Sequence, residues 1–153
     1  MLINIDPILS PELLSIIRSM GHGDKLVLCD ANYPAVSTSN KIIRMDGVNI
    51  PKAAEAILSV FPLDSFIPEP VRRMEIDGRP DEINDVHKDL IEVVKKVSGL
   101  NWHVGSIERQ QFYKESLDAF ATVITGESRP YGCFIFTKGV IKPDGSVWIL
   151  GED

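Results

Sequence analysis

The stretch KLVLC at residues 25–29 is apolar along nearly its whole length rather than at alternate positions. A strand reads that way only when both of its faces are covered, so this run demands a sheet with helices above and below it. Its shortness, with Gly23 before it and Asp30 after it, favours a buried strand over a helix. Two further β-like runs, FATVIT (120–125) and CFIFTKGVI (133–141), lie near the end of the chain, and KIIRMD (41–46), VRRMEI (71–76) and NWHVGSI (101–107) lie between.

Helical patterns alternate with these strands. Ser10 can cap a helix with Pro11 and Glu12 in its first turn. Leu13, Leu14, Ile16, Ile17 and Met20 form its apolar face and Gly21 stops it. Pro51 opens a second helix through Phe61; residues 81–98 form a third, with Ile83, Val86, Leu90, Val94 and Val97 on one stripe; ERQQFYKESLDA (108–119) forms a fourth. Residues 30–40 read as a loop. Interleaved strands and helices predict an α/β fold, an α/β/α sandwich. The last two strands, divided only by the turn-forming GESRPYG, predict a mixed sheet. A chain of 153 residues, 44% apolar and with no dividing linker, predicts one domain over residues 1–153.

A formal charge of −6 argues against nucleic-acid partners, which need clustered Lys and Arg. No window approaches the roughly eighteen apolar residues of a membrane span, and the N-terminus lacks a basic segment ahead of a long apolar one. A soluble, cytoplasmic protein without membrane partners is expected. Cys29 and Cys133 sit in apolar runs without CxxC spacing, as buried free thiols of a reducing compartment would.

The chain has only three histidines. His87 falls in the third helix beside Val86 and Lys88 and reads as a solvated position; His103, between Trp102 and Val104, reads as a structural strand residue. His22 differs, because it directly follows a helix C-terminus, whose unpaired carbonyls attract a protonated imidazole. It is either a simple capping residue or a proton donor. Gly21 and Gly23 precede a strand rather than a helix, so they do not make a phosphate-cradling loop. His22, Asp24 and Asp30 could in principle hold a metal, but no HxxxH or HxxEH pairing supports it, and no GxSxG suggests a serine hydrolase. A metal site is thus disfavoured by the spacing. What remains is a set of hydrogen-bonding groups at strand ends and loops: His22, Asp30, Asn32, Asp64, Arg109, Tyr113 and Tyr131. Such a set suits a polyhydroxyl ligand, although Asp64 alone could be a turn residue and Tyr113 alone a core tyrosine.

The segments MGHGDKLVLCDANYPA (20–35), FPLD (61–64), IERQQFY (107–113) and TGESRPYGCFIFTKGVI (125–141) together resemble the fucose mutarotase and ribose pyranase family, in that family's order. The resemblance implies a Rossmann-like mixed α/β/α domain and a ring-shaped homo-oligomer, of decameric kind. The implied activity is an isomerase that interconverts the anomers of a free monosaccharide without metal or organic cofactor. It implies His22 as proton donor and Asp30, Arg109 and Tyr131 as substrate-binding residues, with Asp64 and Tyr113 added in the fucose-type branch. The ribose-type branch tends to have Asp-Ala-Gly-Leu-Pro where this chain has Asp-Ala-Asn-Tyr-Pro, and a histidine in place of Arg109, so the fucose type is favoured. Where the family commonly has an asparagine, this chain has Cys133, a thiol that cannot both donate and accept as an amide does. That substitution leaves a sugar other than fucose open, with the backbone of Gly132 and Cys133 still able to contribute.

Mutarotation needs a proton given to the ring oxygen and one taken from the anomeric hydroxyl, roles that fall to His22 and Asp30. These are eight residues apart, and at about 3.3 Å per residue a straight strand separates them by roughly 26 Å. Either Gly21 and Gly23 fold His22 back over the strand, or two subunits share one site. Two rival readings use the same residues: a sugar carrier without turnover, and a metal-dependent hydrolase or isomerase.

Overall fold

The computed structural model describes residues 1–39 and 41–152. The elements, in chain order, are α1 (Pro11–Ser19), β1 (Lys25–Cys29), α2 (Ala35–Thr38), β2 (Ile42–Met45), α3 (Ile50–Leu58), β3 (Val71–Met74), α4 (Asp85–Ser98), β4 (Val104–Ile107), α5 (Arg109–Leu117), β5 (Ala121–Thr125) and β6 (Phe134–Thr137). The helix starts follow from side-chain caps. Ser10, Asn49, Asn84 and Glu108 each accept the backbone N–H three residues on, at 3.1, 3.1, 3.1 and 2.9 Å, and each replaces one bond that a helix end lacks.

The strands form one mixed sheet in the order β2-β5-β1-β6-β3-β4. Strands β2, β5 and β1 pair in parallel, as do β3 and β4, and only β6 runs the other way, antiparallel to both β1 and β3. Mixed character was expected from a pairing of the last two strands. It arises differently, because β5 and β6 lie on opposite sides of β1, with Val27 facing Thr122 of one and Ile135 of the other.

Alternation along each strand divides the core. Leu26, Leu28, Phe134 and Phe136 face α1, α3 and α4, while Val27, Cys29, Cys133 and Ile135 face α2 and α5. Phe134 and Phe136 are fully buried, each worth about 1.5–3 kcal/mol of transfer free energy.

Several element ends differ from the sequence reading. The expected loop 30–40 contains the single turn α2; its last residue, Asn40, lies outside the described residues. The second helix ends at Leu58, and Phe61 is buried beyond it as a loop residue. The third begins at Asp85, because the Asn84 cap closes it off and leaves Ile83 exposed. Strand β4 starts after His103, whose side chain is exposed beside Glu69 rather than structural. His87 departs furthest from its reading: it is fully buried, because the first turn of α4 lies against Phe134 and the chain before β6.

Candidate active site

Because five of the six strands are parallel, the carboxyl ends of β1, β3, β4 and β5 gather at one edge of the sheet, where the chain also enters β6. Ligands of open α/β sheets bind at such an edge. A cavity of about 430 Å³ opens there, within the range of small-molecule sites. Asp30, Asn32, Arg109, Tyr113, Tyr131 and Cys133 all line it, so the structure brings together six residues singled out in the sequence.

Asp30, directly after β1, is buried and holds the wall of this cavity in shape. Its Oδ1 accepts the Asn32 N–H at 2.9 Å, and its Oδ2 accepts the Gly132 N–H at 3.0 Å and the Cys133 thiol at 3.4 Å. Burial, with the Asp30 charge adding to it, pushes the Cys133 thiol well above its usual range, so it stays an S–H donor and not a thiolate. Gly132 has little room to be anything else, since a Cβ there would lie 3.3 Å from both Asp30 Cβ and Glu127 Cγ.

Arg109 opens α5, and its Nε donates to both carboxylate oxygens of Asp77, each at 2.9 Å. That hydrogen bonding raises the guanidinium above its ordinary value. Held by Nε, the guanidinium keeps its two terminal nitrogens for a ligand, and its Cζ lies 5.9 Å from the Tyr113 ring centre. Tyr113 leans on Tyr33 with ring centres 5.7 Å apart, and Tyr33 donates to Ser116 Oγ at 2.7 Å. Tyr33, Met74 and Asp77 also line the cavity, beyond the residues that the sequence singles out. Asp77 reads locally as a turn residue. Only the parallel pairing of Met74 with Ile107 puts it opposite Arg109.

His22 and Asp64 are not at this edge. His22 lies before β1, at the opposite end of the sheet, and Asp64 joins it there because its N–H donates to the Thr137 carbonyl at the end of β6. The imidazole Nε2 lies 3.0 Å from Asp64 Oδ1, the carboxylate 3% exposed and the imidazole 45% exposed. A buried carboxylate thus orients a half-exposed imidazole and leaves its other ring nitrogen for a substrate. Phe66 stands edge-on to the imidazole at 5.0 Å, and Trp148 stands edge-on to Phe66 at 5.8 Å. Asp24 accepts the Gly21 N–H at 2.7 Å, and Gly23 takes a φ of +84°. The turn they make keeps His22 at its own end; it does not fold the ring back along β1. Five strand residues intervene, so the two halves are at least about 16 Å apart in one chain. The same separation keeps His22, Asp24 and Asp30 from meeting at a metal.

Comparison with known proteins places these features in a lineage. The model of the RbsD / FucU transport protein family matches residues 3–141. The L-fucose mutarotase of Actinobacillus pleuropneumoniae serotype 5b is 40% identical over 140 residues, 92% of this chain and 97% of that one. The fucose mutarotase of Danio rerio is 40% identical over 148 residues, covering 92% and 94%. The crystal structure of the fucose mutarotase from Streptococcus pneumoniae in complex with L-fucose superposes with a TM-score of 0.85 at 38% identity, covering 92% of this chain and all of that one.

Proposed function

Since the chain belongs to the RbsD / FucU transport protein family, we propose that it is a sugar mutarotase, an isomerase that interconverts the α and β anomers of L-fucose or a closely related free monosaccharide. Relatives of this activity match along nearly their whole length, and the carboxyl-edge cavity supplies the donors and acceptors that a polyhydroxyl ligand requires.

The observation that carries the mechanism is the division of the site. The cavity at one edge holds the hydroxyl-binding groups, and the one imidazole–carboxylate pair among the described residues with hydrogen-bond geometry stands at the other. A single chain cannot bring both to one sugar. Subunits stacked head to tail can, because each His22 edge then meets the next subunit's cavity, and a heterologous contact of this kind forms a ring when its rotation closes. The oligomer is therefore part of the catalyst.

In the shared site, Arg109, Tyr113 and Tyr131 of one subunit hold the sugar hydroxyls. The His22 imidazolium of the neighbour, oriented by Asp64, gives its proton to the ring oxygen as the bond from that oxygen to the anomeric carbon breaks. Asp30, directly or through one water, takes the proton of the anomeric hydroxyl, leaving the open aldehyde, which recloses on its other face. Paired proton transfer contributes about 10²- to 10⁴-fold, an adequate gain for a reaction that proceeds slowly in water. Cys133, committed to Asp30, offers no amide to a hydroxyl, so the preferred sugar is one that makes no demand at that point of the wall. The reaction takes place on free sugar in the cytoplasm, in keeping with two buried free thiols.

Exchange between anomers, followed by NMR saturation transfer on a panel of fucose, ribose and galactose, tests the reading. Exchange above the buffer rate with wild type and loss with His22→Ala supports it. Sugar binding without added exchange would instead make the protein a carrier.

A further inference from the structure

Tyr131 has a φ of +60°. A left-handed backbone is strained for a non-glycine residue of this size and persists only where its surroundings impose it. Here both sides of the residue are held. Ahead of it, the Asn84 side-chain amide donates to the Pro130 carbonyl at 2.9 Å. On it, His87 Nε2 donates to the Tyr131 carbonyl at 2.9 Å. Behind it, the Gly132 N–H donates to Asp30.

His87 can hold that carbonyl only in one tautomer, and the same turn of helix selects it. Its Nδ1 faces the Asn84 N–H at 3.4 Å and must accept, so the ring proton stays on Nε2. The ring is fully buried, edge-on to Phe134, and the charged group acting on it is Arg73 of β3. Burial holds its pKa down to about 4, so it is neutral at pH 7. Asp89, farther along α4, binds Arg129 at 2.6 Å and secures the same turn.

We propose that His87 and Asn84, at the N-terminal end of α4, are positioning residues that impose the left-handed backbone at Tyr131 and so aim its phenol into the sugar cavity. Neither touches the sugar. They act from the opposite face of the sheet, through one tyrosine. The inference rests on the mutarotase reading for its activity arm only.

The decisive experiment combines a crystal structure with a mutant cycle. In His87→Leu, the Tyr131 carbonyl loses its donor; the structure of the variant is expected to show φ at residue 131 outside the left-handed region and the phenol withdrawn from the cavity. Anomer exchange should fall tenfold or more, with the loss in KM rather than in the proton-transfer step. His87→Gln, which keeps a donor, should recover most of it. Against a Tyr131→Ala background, His87→Leu should cost nothing more, because a residue acting through Tyr131 has no path once the phenol is gone. If His87→Leu does not fold, Asn84→Ser keeps the helix cap while releasing the Pro130 carbonyl, and the same cycle applies. An unchanged Tyr131 backbone, or losses that multiply in the double variant, overturns the proposal. A wild-type protein without exchange would overturn the mutarotase reading instead, and the variant's crystal structure would still decide this one.

Discussion

Acidification should destabilise this protein through His87 before it does so through Glu115 and Glu127. Its imidazole titrates at about 4 in the folded chain against 6.5 ordinarily, because burial, and to a lesser degree Arg73, disfavours the charged form. Between those two values the unfolded chain binds the proton and the folded chain does not, so stability falls as pH drops from 6.5 to 4 and is level on either side. A gap of about 2.5 units at 1.36 kcal/mol each gives about 3 kcal/mol. Glu115 and Glu127, held near 2 by Arg72 and Arg129, contribute stability that is lost only as pH falls below their ordinary 4.5. The two windows therefore barely overlap. Urea unfolding at pH 7, 5.5 and 4.5, at one fixed protein concentration because assembly shifts apparent stability, measures the effect. Wild type should weaken progressively, whereas His87→Gln, with nothing to titrate there, should be nearly level down to 4.5. Parallel curves for the two proteins would refute the reasoning.

Other substitutions separate stability from activity. Asp30→Asn places an amide donor against either the Asn32 N–H or both the Gly132 N–H and the Cys133 thiol and should cost about 1–3 kcal/mol in urea unfolding, together with most of the anomer exchange. Asp77→Asn removes the partner of an exposed ion pair, a kind that adds little to stability, so thermal unfolding should hardly move while KM for the sugar rises severalfold. Trp148→Ala withdraws the ring behind Phe66, an aromatic contact of about 0.5–1.5 kcal/mol, and should slow exchange roughly twofold to tenfold as read by saturation transfer.

The sequence shows most clearly what local chemistry dictates. KLVLC is a buried strand at the residues expected, because an apolar run of that length has few other uses. Ser10 caps α1 as its spacing with Pro11 predicts. Pairings set by distant parts of the chain are invisible in it. That β6 inserts between β1 and β3, that Asp77 meets Arg109, and that His87 turns inward to Tyr131 are all consequences of sheet order. A histidine next to a lysine on an amphipathic helix reads as solvated, yet in the first turn of α4 Asp85 and Lys88 face solvent while His87 turns in against Phe134 and the Tyr131 carbonyl. Residue types and the resemblance to a family point to the candidate residues, but local sequence carries no sign that they fall at two opposite ends of one strand.

That division is also the most direct point of attack on the mechanism. Co-expressing two differently tagged chains, one carrying His22→Ala and the other Arg109→Ala, and purifying the mixed oligomer, places intact His22 edges against intact cavities. Each parent alone should be nearly inactive. With random head-to-tail assembly, about one contact in four pairs an intact edge with an intact cavity, so the hybrid should recover about a quarter of wild-type anomer exchange. A hybrid as inactive as its parents would mean that no site is shared between chains, and the mechanism would fall.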